Sequence, residues 1–297
     1  MIDIKIFYSS FQINYFDYKL AYLSYAENHF KELSQENNIL NYSERDFVLA
    51  IKSDIRQTLF QAIETLFEII FALLPDKNGK ISDMEIMRIL SKRELPYKKI
   101  QKIAESEKEL EFLDMEIKIS PEKIVSLAEY IFYYNVTATE DYIDKIKVSL
   151  EAIKSGLYTL AKEFSDRKEY NCYKHGMRLV PAMKFLKIAR ADNMKDIANF
   201  DLTNSLTYYT EDLKQGKIEF VTKLFDTERD KRLIQLCSGL LWNIIKIRDI
   251  VFNKLPQKES GSGQICFFDN DTILNSNKVS IPMHNFRLTL TRGKDKT

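Results

Sequence analysis

The sequence predicts a mainly α protein: a multi-helix bundle followed by a small C-terminal β-hairpin and strand element. Three observations carry that prediction. Glycine and proline are scarce, 8 and 6 in 297 residues, whereas a strand-and-turn architecture needs turn signals about every 8–12 positions. Apolar residues recur at three- and four-residue spacing through long segments of the first two thirds of the chain, the period of a helix face. Past Phe185 the texture becomes β-branched and aromatic in short runs, which is the signature of strands.

From Phe11 to about Gln35, Tyr15, Tyr18, Tyr22, Ala26, Phe30 and Leu33 form an apolar stripe, and the spacing predicts an amphipathic helix facing the core. A second long helix is expected over Ser43–Leu73, opened by Ser43 and Asp46 in a capping-box arrangement and stopped by Pro75. Shorter helices are expected near Ser82–Ser91, Pro96–Glu111 and Pro121–Tyr134, with proline at the start of two of them. Long helices follow at Thr139–Phe164 and Asp166–Val180, the latter closed by Pro181. Leu206–Thr210 and Lys217–Phe225 read as a hairpin turning through Gln215-Gly216. Asp226-Thr227 open a helix of about Glu228–Leu255, and Glu259-Ser-Gly-Ser-Gly263 marks a flexible segment. Ile265–Phe268, Val279–Pro282 and Phe286–Thr291 look like short strands, before a frayed end at Gly293–Thr297. The expected division is a helical bundle over residues 1–200 and a hairpin, long helix and short strands over 201–297, packed on the bundle.

Composition bounds function by exclusion. Lys plus Arg (44) nearly cancel Asp plus Glu (43), a net charge of +1; a protein that coats long nucleic acids needs a strong positive field. Cys172, Cys237 and Cys266 are odd in number and widely spaced, which argues against a disulfide framework and fits a reducing compartment. With no basic-then-apolar N-terminus, the expectation is a cytoplasmic protein. The apolar stretches Leu59–Leu74 and Leu233–Phe252 are interrupted by charged and amide side chains, so both are expected as core helices and no membrane partner is predicted.

Leu74-Pro-Asp-Lys-Asn-Gly-Lys-Ile-Ser-Asp-Met-Glu85 aligns with a calcium-binding EF-hand loop through Asp76, Asn78, Gly79, Ile81 and Glu85. Its first position, which needs a carboxylate to seat the ion, is Leu74. A plain turn between helices is the expectation, with no metal and no cofactor. His29 reads as a half-buried helix residue, Trp242 as core, and His284 has no evident partner in the sequence.

The segment from Asp166 to Val180 carries the chemistry. On a helix turning about 100° per residue, Arg167, Lys168, Asn171, Lys174, His175 and Arg178 share an arc of roughly 120°, with Tyr170, Tyr173, Met177 and Val180 opposite. A histidine near its unperturbed pKa of about 6.5 donates or accepts protons at neutral pH. Flanking arginines and lysines bind phosphate oxygens, and Asn171 can orient the imidazole. Gly176 fits close approach of a helix or ligand, or an early helix end. Cleavage of RNA by acid–base chemistry needs little more.

Tyr170-Asn171-Cys-Tyr-Lys-His175 resembles the motif of the HEPN superfamily, Arg-x4–6-His and often Arg-Asn-x3-His, with Tyr170 standing where the family has arginine. Arg167 leaves seven intervening residues and Arg178 lies one turn after the histidine. The resemblance implies a helical bundle, an RNA-directed protein, and a metal-independent endoribonuclease acting as a homodimer with two motif helices facing each other. It would make His175 the acid–base group, Arg178 and Arg167 phosphate clamps with Lys168 and Lys174 beside them, and Asn171 the orienting group. The alternative is a non-catalytic helical binding or scaffold protein whose basic face contacts nucleic acid, a nucleotide or a protein partner. A third is a structural oligomer with the motif helix as its interface.

Overall fold

The structure, a computed structural model, describes residues 4–36, 43–76, 79, 86–91, 96–120, 122–136, 140–175, 179–181, 184–190, 192–212, 217–254, 265–281 and 285–291. Helices dominate it. In chain order they and the strands are α1 (Ile4–Ser10), α2 (Tyr15–Asn28), α3 (Phe30–Glu36), α4 (Glu44–Ala72), α5 (Ile86–Leu90), α6 (Tyr97–Glu105), a 3-10 helix (Glu107–Asp114), β1 (Glu116–Ser120), β2 (Lys123–Ser126), α7 (Leu127–Phe132) and α8 (Glu140–Phe164). Then come α9 (Arg167–His175), β3 (Leu179–Pro181), β4 (Phe185–Ala189), β5 (Asp196–Asp201), β6 (Ser205–Asp212), β7 (Lys217–Leu224), α10 (Thr227–Asn253), α11 (Asn270–Ser276) and β8 (Asn285–Thr291). The expected Gln215-Gly216 turn, Glu259–Gly263, Pro121, His284 and the Gly293–Thr297 end lie outside the described residues, as do Asn78, Ile81 and Glu85 of the calcium-like loop. Of that loop, Gly79 has φ +74° and its N–H donates to Asp76 O at 2.9 Å, a turn that glycine enters at no steric cost.

The expected mainly α class holds, and several elements differ in ways the residues explain. Glu116–Ser126 forms a hairpin, with Ile117 opposite Val125 and both buried. The following helix starts at Leu127, where the Ser126 side chain accepts from Glu129 N–H at 3.1 Å; Ser126-x-x-Glu129 is the capping signature that outweighs Pro121. Residues 107–114 tighten into a 3-10 helix whose Leu110 and Leu113, three apart, share the buried face. The stripe assigned to the first helix splits: Tyr15, Tyr18 and Tyr22 face outward, with Tyr18 and Tyr22 70% and 68% exposed, whereas Ala26 is buried together with Phe16, Leu20 and Leu23, and Phe30 and Leu33 are half-buried. His29 is half-buried at the break between α2 and α3, stacked on Tyr25 at 4.0 Å.

The chain divides into two compact units. The first comprises Met1–Leu20, Thr58–Ser165 and Lys231–Lys278. Its core takes Leu59, Phe60, Ile63, Leu66 and Phe67 of α4, Ile153, Leu157 and Leu160 of α8, and Leu233, Leu240, Leu241 and Ile244 of α10, each essentially inaccessible. Burying such side chains stabilises by roughly 1.5–3 kcal/mol apiece. No helix among the described residues is long and apolar enough to cross a membrane. Trp242, expected in the core, is half-buried. Gly156 of α8 lets α11 approach, since a Cβ there would stand 3.0 Å from Ile273 Cδ1.

Ile265–Phe268 is not a strand. Its backbone is satisfied by side chains: Cys266 N–H donates to Asn243 Oδ1 at 2.9 Å, Asn243 Nδ2–H donates to Cys266 O at 2.7 Å, and Phe268 N–H donates to Ser149 Oγ at 2.8 Å. Tyr133 O–H also donates to Cys266 O at 3.0 Å, and burial pushes this phenol up to about 12. Polar side chains thus take the place of a ladder, which a propensity reading cannot foresee.

The second unit comprises Ala21–Gln57, Asp166–Asp230 and Val279–Thr297. It holds a four-stranded antiparallel sheet of order β3-β6-β7-β8 and a separate β4–β5 ribbon. The expected hairpin is present as β6 and β7, with Thr207 and Thr222 paired in register and their hydroxyls 2.8 Å apart. Phe286–Thr291, expected as a strand, lies within β8. Val279 and Ser280 are not a strand; Ser280 N–H donates to Asp226 Oδ2 at 2.8 Å. Asp226 also caps α10 by accepting from Arg229 N–H at 3.2 Å.

Candidate functional site

The helix that carries the histidine motif is shorter than the sequence predicts. It is described over Arg167–His175, and Leu179–Pro181 pair instead with Tyr208, Thr207 and Leu206 of β6. Pro181 has no N–H to give, and it sits on an edge strand of the sheet, where proline is tolerated. Val180, drawn on the inward side of that helix, is therefore a strand residue, while Gly176, Met177 and Arg178 lie outside the described residues. Arg167 and His175 are placed by their helical backbone, and their side chains are likewise outside the description.

What remains of the arc is consistent with its polar character. Lys168 and Lys174 are exposed and Asn171 is half-exposed. Lys168 Nζ stands 3.9 Å from Glu219 of β7, which in turn lies 3.7 Å from Arg287 of β8. The opposite face is buried, with Tyr170 at 9%, Tyr173 at 5% and Cys172 at 0% exposure. Cys172, Tyr208 and Val221 cluster where α9 lies on the sheet. Asp166 starts the helix by accepting from Glu169 N–H at 3.0 Å, and its other oxygen accepts from Tyr208 O–H at 2.9 Å.

A charge network that the sequence did not suggest anchors this buried face. Arg56 of α4 donates from Nε to Glu169 Oε1 at 2.9 Å and from Nη1 to Asp230 Oδ1 at 2.9 Å. Lys223 of β7 donates to Glu169 Oε2 at 3.1 Å. Arg56, Glu169 and Asp230 are almost completely buried, and Lys223 is half-buried. In these contacts two cations meet two carboxylates. Burial alone would push the Glu169 carboxyl up, but the charges of Arg56 and Lys223 and their hydrogen bonds outweigh it and hold it below the ordinary value. Burial also pushes the Tyr173 phenol well up, keeping it neutral. The cavity beside the network, lined by Arg56, Lys223, Asp226, Arg229 and Asp230 among others, is only about 10 Å³, room for no more than about one water. The network is thus an anchor rather than a ligand pocket. One signal was readable in the sequence: Glu169 falls inside the apolar arc between Cys172 and Tyr173, and a carboxylate there requires a cation.

A larger, open groove of about 470 Å³ lies between the start of α4 and the β5–β6 turn, lined by Glu44, Arg45, Val48, Leu49, Lys52, Thr203 and Asn204. Lys52 donates to Asn204 Oδ1 at 2.7 Å across it. None of the residues singled out in the sequence lines it. Among the described residues, no group of three or more His, Cys, Asp or Glu could hold a metal ion.

No family model, curated protein or solved structure matches this chain.

Proposed function

We propose that this chain is a HEPN-like, RNA-directed protein in which the outward face of α9 meets the RNA backbone and His175 supplies acid–base chemistry for metal-independent cleavage. The observation that carries the reading is the division of α9 into two faces. Lys168, Asn171 and Lys174 turn to solvent, while Glu169, Tyr170, Cys172 and Tyr173 are buried. A basic arc on an anchored helix offers phosphate contacts at little conformational cost. In this reading Asn171 orients the imidazole, Arg167 and Arg178 join the lysines as phosphate clamps, and two copies bring their α9 faces together as the resemblance implies.

A second reading, binding without cutting, is favoured by one particular observation. Tyr170 occupies the place of the family's arginine and is 9% exposed, so that position presents no cation to a phosphate. Two measurements separate the readings. Purified protein is incubated with total cellular and transfer RNA in EDTA, beside His175→Ala. Cleavage that disappears in the variant is the expected result for a nuclease; absence of cleavage by folded parent protein overturns it for these substrates. RNA binding is then titrated against salt. Lys168→Glu with Lys174→Glu is expected to weaken binding uniformly across sequences and to reduce the salt slope by about two. An unchanged slope removes α9 from the RNA contact altogether.

A further inference from the structure

We propose that the outward face of α2 is an interface with a second copy of this chain. Tyr15, Tyr18, Tyr22 and Tyr25 follow one another at spacings of three, four and three residues, the a and d positions of two heptads. They are 46%, 70%, 68% and 53% exposed. On the other side of the same helix, Phe16, Leu20, Leu23 and Ala26 are between 4% and 6% exposed. The helix therefore carries two apolar faces, of which the fold covers one. Single exposed apolar residues are ordinary, but four large aromatics in one row form the kind of contiguous patch that marks an interaction surface.

The chemistry around the row selects its occupant. A single-stranded nucleic acid could stack bases on tyrosines, but it also needs cations that follow the phosphates. On α2 the charges are Asp17, Lys19 and Glu27, and Lys19 donates to Gln61 Oε1 at 3.0 Å. Docking on an anionic membrane surface needs the same cations. A second copy needs none. The accessible positions beside the seam are Asn14, Ala21 and Asn28 as well as Lys19, so two identical faces meet with little like-charge repulsion, and Ala21 allows close approach.

The area is of the right order. Tyrosines that bury about 200 Å² each present roughly 500 Å² in this row, against the roughly 800 Å² per partner of a standard interface; the flanking positions make up the difference. A two-fold axis at the middle of the row sets Tyr18 against the partner's Tyr22 and Tyr15 against the partner's Tyr25, an isologous antiparallel pair. Heptad spacing gives a crossing angle near 20°, and the phenol hydroxyls stay at the wet rim. None of these residues belongs to α9, so substitutions in the row separate this contact from the α9 pairing of the RNA reading, and RNA cleavage tests that reading by itself.

Sedimentation equilibrium on the full chain, with circular dichroism to confirm folding, provides the test. Through this face alone the parent is expected at twice the 34.9 kDa chain mass at micromolar concentration, and at higher mass where the α9 faces pair as well. Tyr18→Glu with Tyr22→Glu, both at exposed sites, is expected to weaken association by at least about 100-fold, tenfold or more for each aromatic anchor. Tyr18→Phe with Tyr22→Phe should leave it within a few-fold. A parent that stays at the monomer mass up to about 100 µM overturns the proposal, and so does a glutamate variant that dimerises as well as the parent. Loss of binding to a single-stranded oligonucleotide in the glutamate variant, with the mass at one chain throughout, would instead make the row a stacking platform for nucleic acid.

Discussion

Arg56→Ala is expected to cost about 3–5 kcal/mol of stability, because removing one member of a buried ion network leaves the others desolvated and uncompensated. Arg56 holds Glu169 and Asp230 at once, both nearly inaccessible. Urea denaturation at neutral pH measures the loss, and hydrogen exchange locates it: protection should fall first in α9 and β7, whose Glu169 and Lys223 meet in the network. A loss below about 1 kcal/mol would show that water reaches the cluster and that the burial argument is wrong. Lys223→Met should cost less, since Lys223 is the most accessible member.

The same network sets a dependence on pH. The Glu169 carboxyl is held below its ordinary value of 4.5 in the folded protein. A depressed carboxylate contributes stability that is fully present above the unfolded value and is lost as pH falls through the folded one. Stability of the parent should therefore decline on acidification below about pH 5. Glu169→Gln should be less stable at neutral pH and should lose less on further acidification. Parallel pH profiles for the two proteins would place the acid-sensitive group elsewhere.

Arg248→Ala is the second large effect, expected at about 3–5 kcal/mol from a cavity and stranded acceptors together. Arg248 is 0% exposed. Its guanidinium donates to Tyr130 O and Ile131 O, each at 2.8 Å, and to Ile244 O at 3.1 Å. It also sits over the rings of Tyr130 and Tyr134 at 5.0 and 4.7 Å, where the attraction strengthens with desolvation. Two of the accepting carbonyls lie in the last turn of α7, where helices leave carbonyls unsatisfied. Arg248→Lys should recover only part of the loss, since an ammonium cannot reproduce the planar fork. A denaturation midpoint for Arg248→Ala within error of the parent would exclude this role.

If the RNA reading holds, the Arg56 network has a functional side as well. It fixes the inward face of α9, and with it the direction in which Lys168, Asn171 and Lys174 point. Arg56→Ala would then weaken RNA binding without touching any residue that meets RNA, whereas Lys168→Glu would weaken binding and leave stability within about 0.5 kcal/mol.

The sequence by itself determined the mainly α class, the long helices α4, α8 and α10, and the β6–β7 hairpin. In each, the pattern of apolar residues leaves one solution, and for α4 and α10 capping residues or proline also mark an end. It also determined which side of α9 goes inward for Tyr170 and Tyr173. Only the tertiary structure decided which face of α2 is covered, because both faces are apolar and periodicity alone cannot rank them. Tertiary pairing likewise took Leu179–Pro181 out of the expected helix, since β6 offers them a strand partner that local propensity does not see. The ion network was hidden for a related reason. Its members are 113 and 174 positions apart, and a charge in an apolar segment says only that a partner must exist, not which residue the fold will bring to it.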